Sequence, residues 1–275
     1  MAFTVNTNEG ALLALQQLNK TNANLTKVQT EINTGKKVSS AKDNSAVFAI
    51  AQKLRADISG INAAKGSIDR ALSTIDVSIA AGEAISDLLI EMKEKAVSAK
   101  DLGLDSTSRS SLNQDFTQLR DQITSIVTTA EFNGTNAVDG GTDSISAITN
   151  HDASNTLSVA NQDLTLGGTN ISIVSTSVIS TQSAADVAVT AIESSLTNVN
   201  TALSVLGAGA KRIELQKTFI GKLSDSIEIG IGNLVDADMA KVSANLQSLQ
   251  VKQQLGIQAL SIANQAPQSV MSLFQ

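Results

Sequence analysis

Residues 11–32 read ALLALQQLNKTNANLTKVQTEI, a sequence with a seven-residue apolar repeat. Ala11, Leu18, Leu25 and Ile32 recur every seven residues, and Ala14, Thr21 and Val28 follow the first three by three places. Rows at that spacing share one stripe of an α-helix and form an a/d seam, which needs a second helix to cover it. The second row is weak, because Ala and Thr bury little apolar area. Gly35 ends the pattern, and Lys36, Lys37, Ser39, Ser40 and Asn44 make a polar break.

Working outward, a second seam follows. Leu54, Ile61, Ile68 and Ile75 make one row and Ile58, Leu72 and Ile79 the other, with Lys65 intruding. It weakens near Gly82 and resumes through Ile85, Leu88, Leu89, Met92 and Ala96. Residues 101–105 read as a turn, with Asp105 or Ser106 placed to cap a third helix through Leu112, Phe116, Leu119, Ile123, Ile126 and Val127. From Phe132 to Ser183 glycines punctuate a Ser/Thr/Asn/Asp-rich stretch without helical period. There Ile145 with Ile148, Leu157–Val159, Leu164–Leu166 and Ile171–Ile179 read as short strands. Helix then returns: Ile192, Val199, Leu206, Ile213, Ile220, Ile227 and Leu234 hold one row, with Leu196, Leu203 and Ala210 beside it. Gly230, Gly232 and Asn233 should loosen that helix before Asp236 restarts it. Val242, Leu246, Leu249, Leu255 and Leu260 carry the last stripe, which Pro267 should stop.

The expected fold is mainly α: an elongated antiparallel helical bundle or coiled coil with its N- and C-terminal helices paired, plus a small β or irregular outer insert. A helix of ~45 residues is about 65–70 Å long, so two of them should run side by side with the termini together. The expected divisions are an N-terminal core helix and turn at 1–44, a middle helical shell at 45–131 and a variable surface insert at 132–184. The return helix occupies 185–232 and a C-terminal core helix 233–275. Thr21, Gln253 and Gly256 leave the terminal seams short of large apolar groups, so these helices should be marginal alone and finished by other copies. The residues assigned to that self-assembly seam are Leu18, Leu25, Ile32, Leu246, Leu249 and Leu260.

Composition agrees with a structural role. The 275 residues are 42% hydrophobic but only 2% aromatic, with no Trp, Tyr or Cys, one Pro and one His. No disulfide, thiolate nucleophile or two-His metal site can be built, and a net charge of -6 argues against nucleic acid as the main partner. Met1–Glu9 lacks the basic start and apolar run of a cleavable secretory signal, and no stretch approaches the ~20 apolar residues of a membrane span. His151, beside Asp152 in the polar insert, reads as a solvated loop residue. Gly207-Ala-Gly209 and Gly230-Ile-Gly232 lack the third glycine and preceding strand of a nucleotide fingerprint and read as kinks or close-packing positions. Asp236 and Asp238 read as caps of the last helix rather than metal ligands. Lys36, Lys37 and Lys42 are either a solvated turn or an inter-subunit contact to Asp236 and Asp238. No catalytic, cofactor or metal residues are assigned.

Three segments carry a resemblance. Asn33–Ala46 (NTGKKVSSAKDNSA), Asn233–Ala240 (NLVDADMA) and Ala263–Val270 (ANQAPQSV) resemble the terminal signatures of bacterial flagellin, most closely the short alpha-proteobacterial type. Asn6-Thr-Asn and Glu131-Phe-Asn-Gly-Thr fit the same family, and the likeness covers roughly 1–140 and 185–275.

The resemblance implies a subunit of the helical flagellar filament, whose terminal helices fold on assembly and whose partners are many copies of itself. It also implies an export apparatus and chaperone, hook-junction and cap proteins, unfolded export without a cleaved signal, and an extracellular location on the flagellum. Glu91, Met92 and Lys93 lie in the segment that animal Toll-like receptors recognise in this family. Glu91 stands where the family pattern has Arg, which implies evasion. Ser and Thr from Thr142 to Ser183 could carry O-glycans or be plain hydrophilic surface. The N-glycan triplets at Asn133 and Asn170 belong to another export route. The alternatives are a hook–filament junction adaptor and a coiled-coil scaffold unrelated to motility.

Overall fold

A computed structural model describes residues 7–271, with side chains to residue 265. Asn6 of the first motif, and the side chains of 266–270 in the last, lie outside the described residues. The elements run α1 (Glu9–Thr34), α2 (Ser45–Ala99), α3 (Ser106–Thr129), β1 (Ile145–Ile148), β2 (Thr156–Val159), α4 (Gln182–Val235) and α5 (Met239–Met271). The chain divides into two compact units: one from residues 1–56 and 226–275, the other from 57–225.

In the first unit α1 and α5 pair antiparallel. Asn8 meets Ala263, Leu18 faces Gly256, Asn22 bonds Gln253, and Lys36 bridges Asp236. The heptad reading of α1 is borne out position by position: Ala11, Ala14, Leu18, Thr21, Leu25, Val28 and Ile32 all turn inward. On α5 the inward set is Val242, Leu246, Leu249, Gln253, Gly256, Leu260 and Ala263. Leu255, expected in the stripe, instead lies 59% exposed. The seam is thin. The buried side chain of α1 is the hydroxyl-bearing Thr21, whose Oγ1 donates to the Gln17 carbonyl. At Gly256 a Cβ would stand 3.3 Å from Leu18 Cδ1, so the missing side chain admits the leucine.

Two expected breaks fall elsewhere. Gly230 and Gly232 lie within α4, which continues to Val235 because its hydrogen-bond ladder tolerates glycine at about 1 kcal/mol each. The actual break is 236–238, where Asp238 Oδ1 accepts from the Ala240 and Lys241 amides and caps α5. Pro267 does not stop α5, which runs four residues further to Met271.

In the second unit α2, α3 and α4 enclose a core led by Phe116, Ile85, Leu89, Met92, Ile123 and Ile192. Lys93–Glu193 (2.9 Å) and Lys217–Asp69 (2.7 Å) mark the antiparallel run of α2 and α4. Asp105 caps α3 as expected, accepting from the Ser108 amide. The Arg109 guanidinium donates to the carbonyl of Ala99, which the end of α2 leaves open, and to those of Asp101 and Leu104 in the turn that follows. Phe132 and Thr135 exchange backbone bonds across Asn133 (φ 52°) and Gly134 (φ 81°), the two positive angles a tight hairpin turn requires.

The insert forms only one antiparallel pair, β1 with β2, in the register Ile145 opposite Val159. Segments 164–166 and 171–179, expected as strands, are loops. Their backbone groups are already engaged: the Leu164 amide donates to the Val138 carbonyl, the Thr165 amide to the Asp163 carboxylate and the Ser172 amide to Ser195 Oγ, while the Ile171 and Ile173 carbonyls accept from the Gly167 amide. Leu164, Ile171, Ile173 and Ile179 are buried all the same, because they lid the helical core. Their apolarity reflects burial, not pairing.

Candidate functional site

Chemistry-bearing side chains do not converge. Among the described residues no group of three or more His, Asp or Glu could hold a metal ion. No helix there is long and apolar enough to cross a membrane. His151 is half exposed and its Nε2 lies 3.7 Å from Asp57 Oδ1. What fixes its loop is backbone packing, since a Cβ on Gly60 would stand 2.2 Å from the His151 carbonyl oxygen. Gly209 likewise admits β2, with Val159 2.6 Å from where a Cβ would be, which fits the close-packing reading of that glycine.

The charged candidates gather at the connector between α1 and α2 and at the junction of α4 with α5, where backbone bonds hold them. Lys36 and Asp236 form a backbone bridge, the Lys37 and Val38 amides both donate to the Val235 carbonyl, and Ala237 donates to Gly35. Lys37 Nζ donates to the Asn233 carbonyl at 3.0 Å, and Asp238 caps α5. Lys42 is exposed. The neighbouring Asp43 carboxylate accepts from the amides and hydroxyls of Ser39 and Ser40. These bonds, the Ser40 amide first, hold its pKa below the ordinary 3.8. The signature Asn33–Ala46 is therefore a folded connector, closed by Asn44 capping α2 at the Val47 amide.

Of the three residues in the α2 segment, Glu91 is exposed, Lys93 pairs with Glu193, and Met92 is fully buried in the core. A binding partner reaching this helix meets Glu91 and Lys93 but not Met92.

Leu18, Leu25, Ile32, Leu246, Leu249 and Leu260 face each other across the α1/α5 seam and are half buried. The apolar residues left for another molecule are different ones. On α1 they are Leu12, Leu13 and Leu15, exposed at 59%, 66% and 44%. On α5 Val251, Leu255 and Ile262 form one outward stripe, with Ile257 beside it, all more than half exposed. The a/d reading missed them because it counts inward positions. The signal was nonetheless present: Leu and Ile fill heptad positions that a solvated pair gives to charged residues. Seven large apolar side chains on one helix pair exceed the scattered exposure normal for a surface. In the second unit Leu215, Phe219 and Leu223 repeat the motif on α4 at four-residue spacing.

The chain matches known proteins at both of its ends. The bacterial flagellin N-terminal helical region matches residues 5–143 and the C-terminal helical region residues 189–274. The chain is 50% identical over 272 residues to flagellin FljM of Caulobacter vibrioides, covering 99% of this chain and 98% of that one. It is 34% identical over 278 residues to a flagellin of Brucella melitensis, covering 98% of each. Among solved structures, a putative flagellar hook-associated protein from Vibrio parahaemolyticus matches with a TM-score of 0.58 over 70% of this chain and all of that one. At 15% identity it speaks for the fold alone.

Proposed function

The chain belongs to the bacterial flagellin family and is a structural subunit that self-assembles into the flagellar filament, and we propose that its subunit contacts use the outward apolar faces of α1 and α5. The observation that carries this is the exposure of Leu12, Leu13, Val251, Leu255 and Ile262 on a helix pair whose own seam is built mostly of half-buried side chains. Burying five such side chains contributes roughly 1.5–3 kcal/mol each before ordering costs. That is enough to complete a marginal pair only when neighbours supply the covering surface.

The expected location is extracellular, on the flagellum, after export without a cleaved signal peptide. The partners along that route would be the export apparatus, a chaperone, and the hook-junction and cap proteins. Support comes from a chain free of Cys, with a single Pro to isomerise during repeated unfolding. A structural rather than catalytic role fits the family and the scattered titratable groups. The test is substitution on the outer faces. Leu13→Asp and Leu255→Asp should leave the 57–225 unit melting as wild type while abolishing pelletable filaments. Pelleting at wild-type protein concentration would overturn the assignment.

A second reading concerns animal receptors for flagellin. Glu91 sits exposed on α2 beside the paired Lys93, presenting a carboxylate where the family pattern has an arginine fork. Weak or absent receptor activation is expected. Reporter-cell activation at concentrations typical of strongly stimulatory flagellins would contradict it.

A further inference from the structure

Pro267 lies inside α5, four residues beyond Ala263. A helical residue at 267 would donate its N–H to the Ala263 carbonyl, and proline has none to give. The bond is replaced from the other end of the chain. Asn8 Nδ2 donates to the Ala263 carbonyl at 2.7 Å, across 255 residues of sequence. The same amide group is the N-cap of α1, its Oδ1 accepting from the Ala11 amide at 3.0 Å. One side chain thus satisfies an open donor at the start of α1 and an open acceptor in α5.

We infer that Asn8 and Pro267 form a register lock for the α1/α5 pair, with Pro267 creating the open carbonyl and Asn8 being the group that can fill it. The seam alone specifies register poorly. Its members are mostly small or half buried. Besides Asn8, the directional contacts of the pair are Gln253 Nε2 to Asn22 Oδ1 at 2.7 Å and, at the far end, the backbone bridge of Lys36 with Asp236 and Ala237 with Gly35. Asn8 thus ties the end that the bridge does not hold. A slip of one heptad would again place apolar rows opposite each other, but it would leave the Ala263 carbonyl without a donor. That carbonyl is part-buried, so losing its protein donor adds a cost to a slipped pairing, as a polar a-position residue does in coiled coils. Fixing register also fixes how far Leu12 and Leu13 stand from Val251, Leu255 and Ile262, and so the pattern a neighbouring copy meets.

The test is a double-mutant cycle on the full-length chain, reading the critical concentration for filament growth. Asn8→Ser and Asn8→Asp each keep a cap acceptor and lose the amide donor. Pro267→Ala restores the N–H at 267, making the Asn8 donor redundant. In the native background either Asn8 substitution should raise the critical concentration about tenfold. In the Pro267→Ala background the same substitution should raise it less than about threefold. Thermal melting of the 57–225 unit serves as the folding control. Equal increases in the two backgrounds would reduce Asn8 to an ordinary cap and overturn the lock, as would no increase in either.

Discussion

Single residues in this chain matter chiefly by what they let the backbone do. Gly60 is the clearest case, because its missing Cβ admits the His151 carbonyl. Gly60→Ala should cost the 57–225 unit about 1–3 kcal/mol through forced displacement of the 149–155 loop, visible as a lower melting midpoint. Asp163 organises the insert by a different means. Burial pushes its pKa up, but the Thr165 hydroxyl and the Thr169 and Thr165 amides outweigh that and hold it below the ordinary 3.8. A carboxyl with a depressed folded pKa contributes stability that is present above its unfolded value and lost as pH falls through the folded one. Asp163→Asn should therefore lower the melting midpoint at neutral pH. The gap from wild type should close as pH falls below about 3.8, which a pH series of thermal melts measures.

Elements were legible where a period was long. The α1 rows, the α4 row Ile192–Val199–Leu206–Ile213–Ile220 and the Asp105 cap lie where spacing places them, because a strict heptad admits one inward face. The expected strands at 164–166 and 171–179 failed for a physical reason. Buried apolar residues alternating with polar ones look alike whether the backbone pairs with a strand or is tied by Asp163 and Ser195. Pro267 misled in the same way, since the group that fills its missing bond comes from residue 8 and leaves no local trace. The outward residues of α5 are only partly legible: the apolar spacing puts Leu255 in the inner stripe, but Gln253 and Gly256 hold the inward positions and turn it out. At this scale the core prediction is plain. Phe116 is fully buried among three helices, and Phe116→Ala should cost about 3–5 kcal/mol of the second unit's stability in a denaturant titration.

For the whole molecule, the low aromatic content and the thin terminal seam have one explanation. The 57–225 unit carries a filled core of its own, while the 1–56 and 226–275 unit carries apolar surface on its outside as well as in its seam. Stability should be distributed accordingly, with the terminal unit opening at far lower free energy than the other. Limited proteolysis of dilute monomer should trim both ends toward a fragment near 57–225, whereas filaments should resist at the same protease dose. Equal resistance in monomer and filament would show the terminal unit to be self-sufficient.

In the filament the outer apolar faces of α1 and α5 should be covered by other copies of the chain. Because the native sequence has no Cys, a lone Leu255→Cys gives an unambiguous thiol at the middle of the α5 stripe. Its maleimide labelling rate in monomer and in filament is the most direct measurement. Rapid labelling in monomer with at least tenfold protection in filament is the predicted result; equal rates in the two states would contradict it.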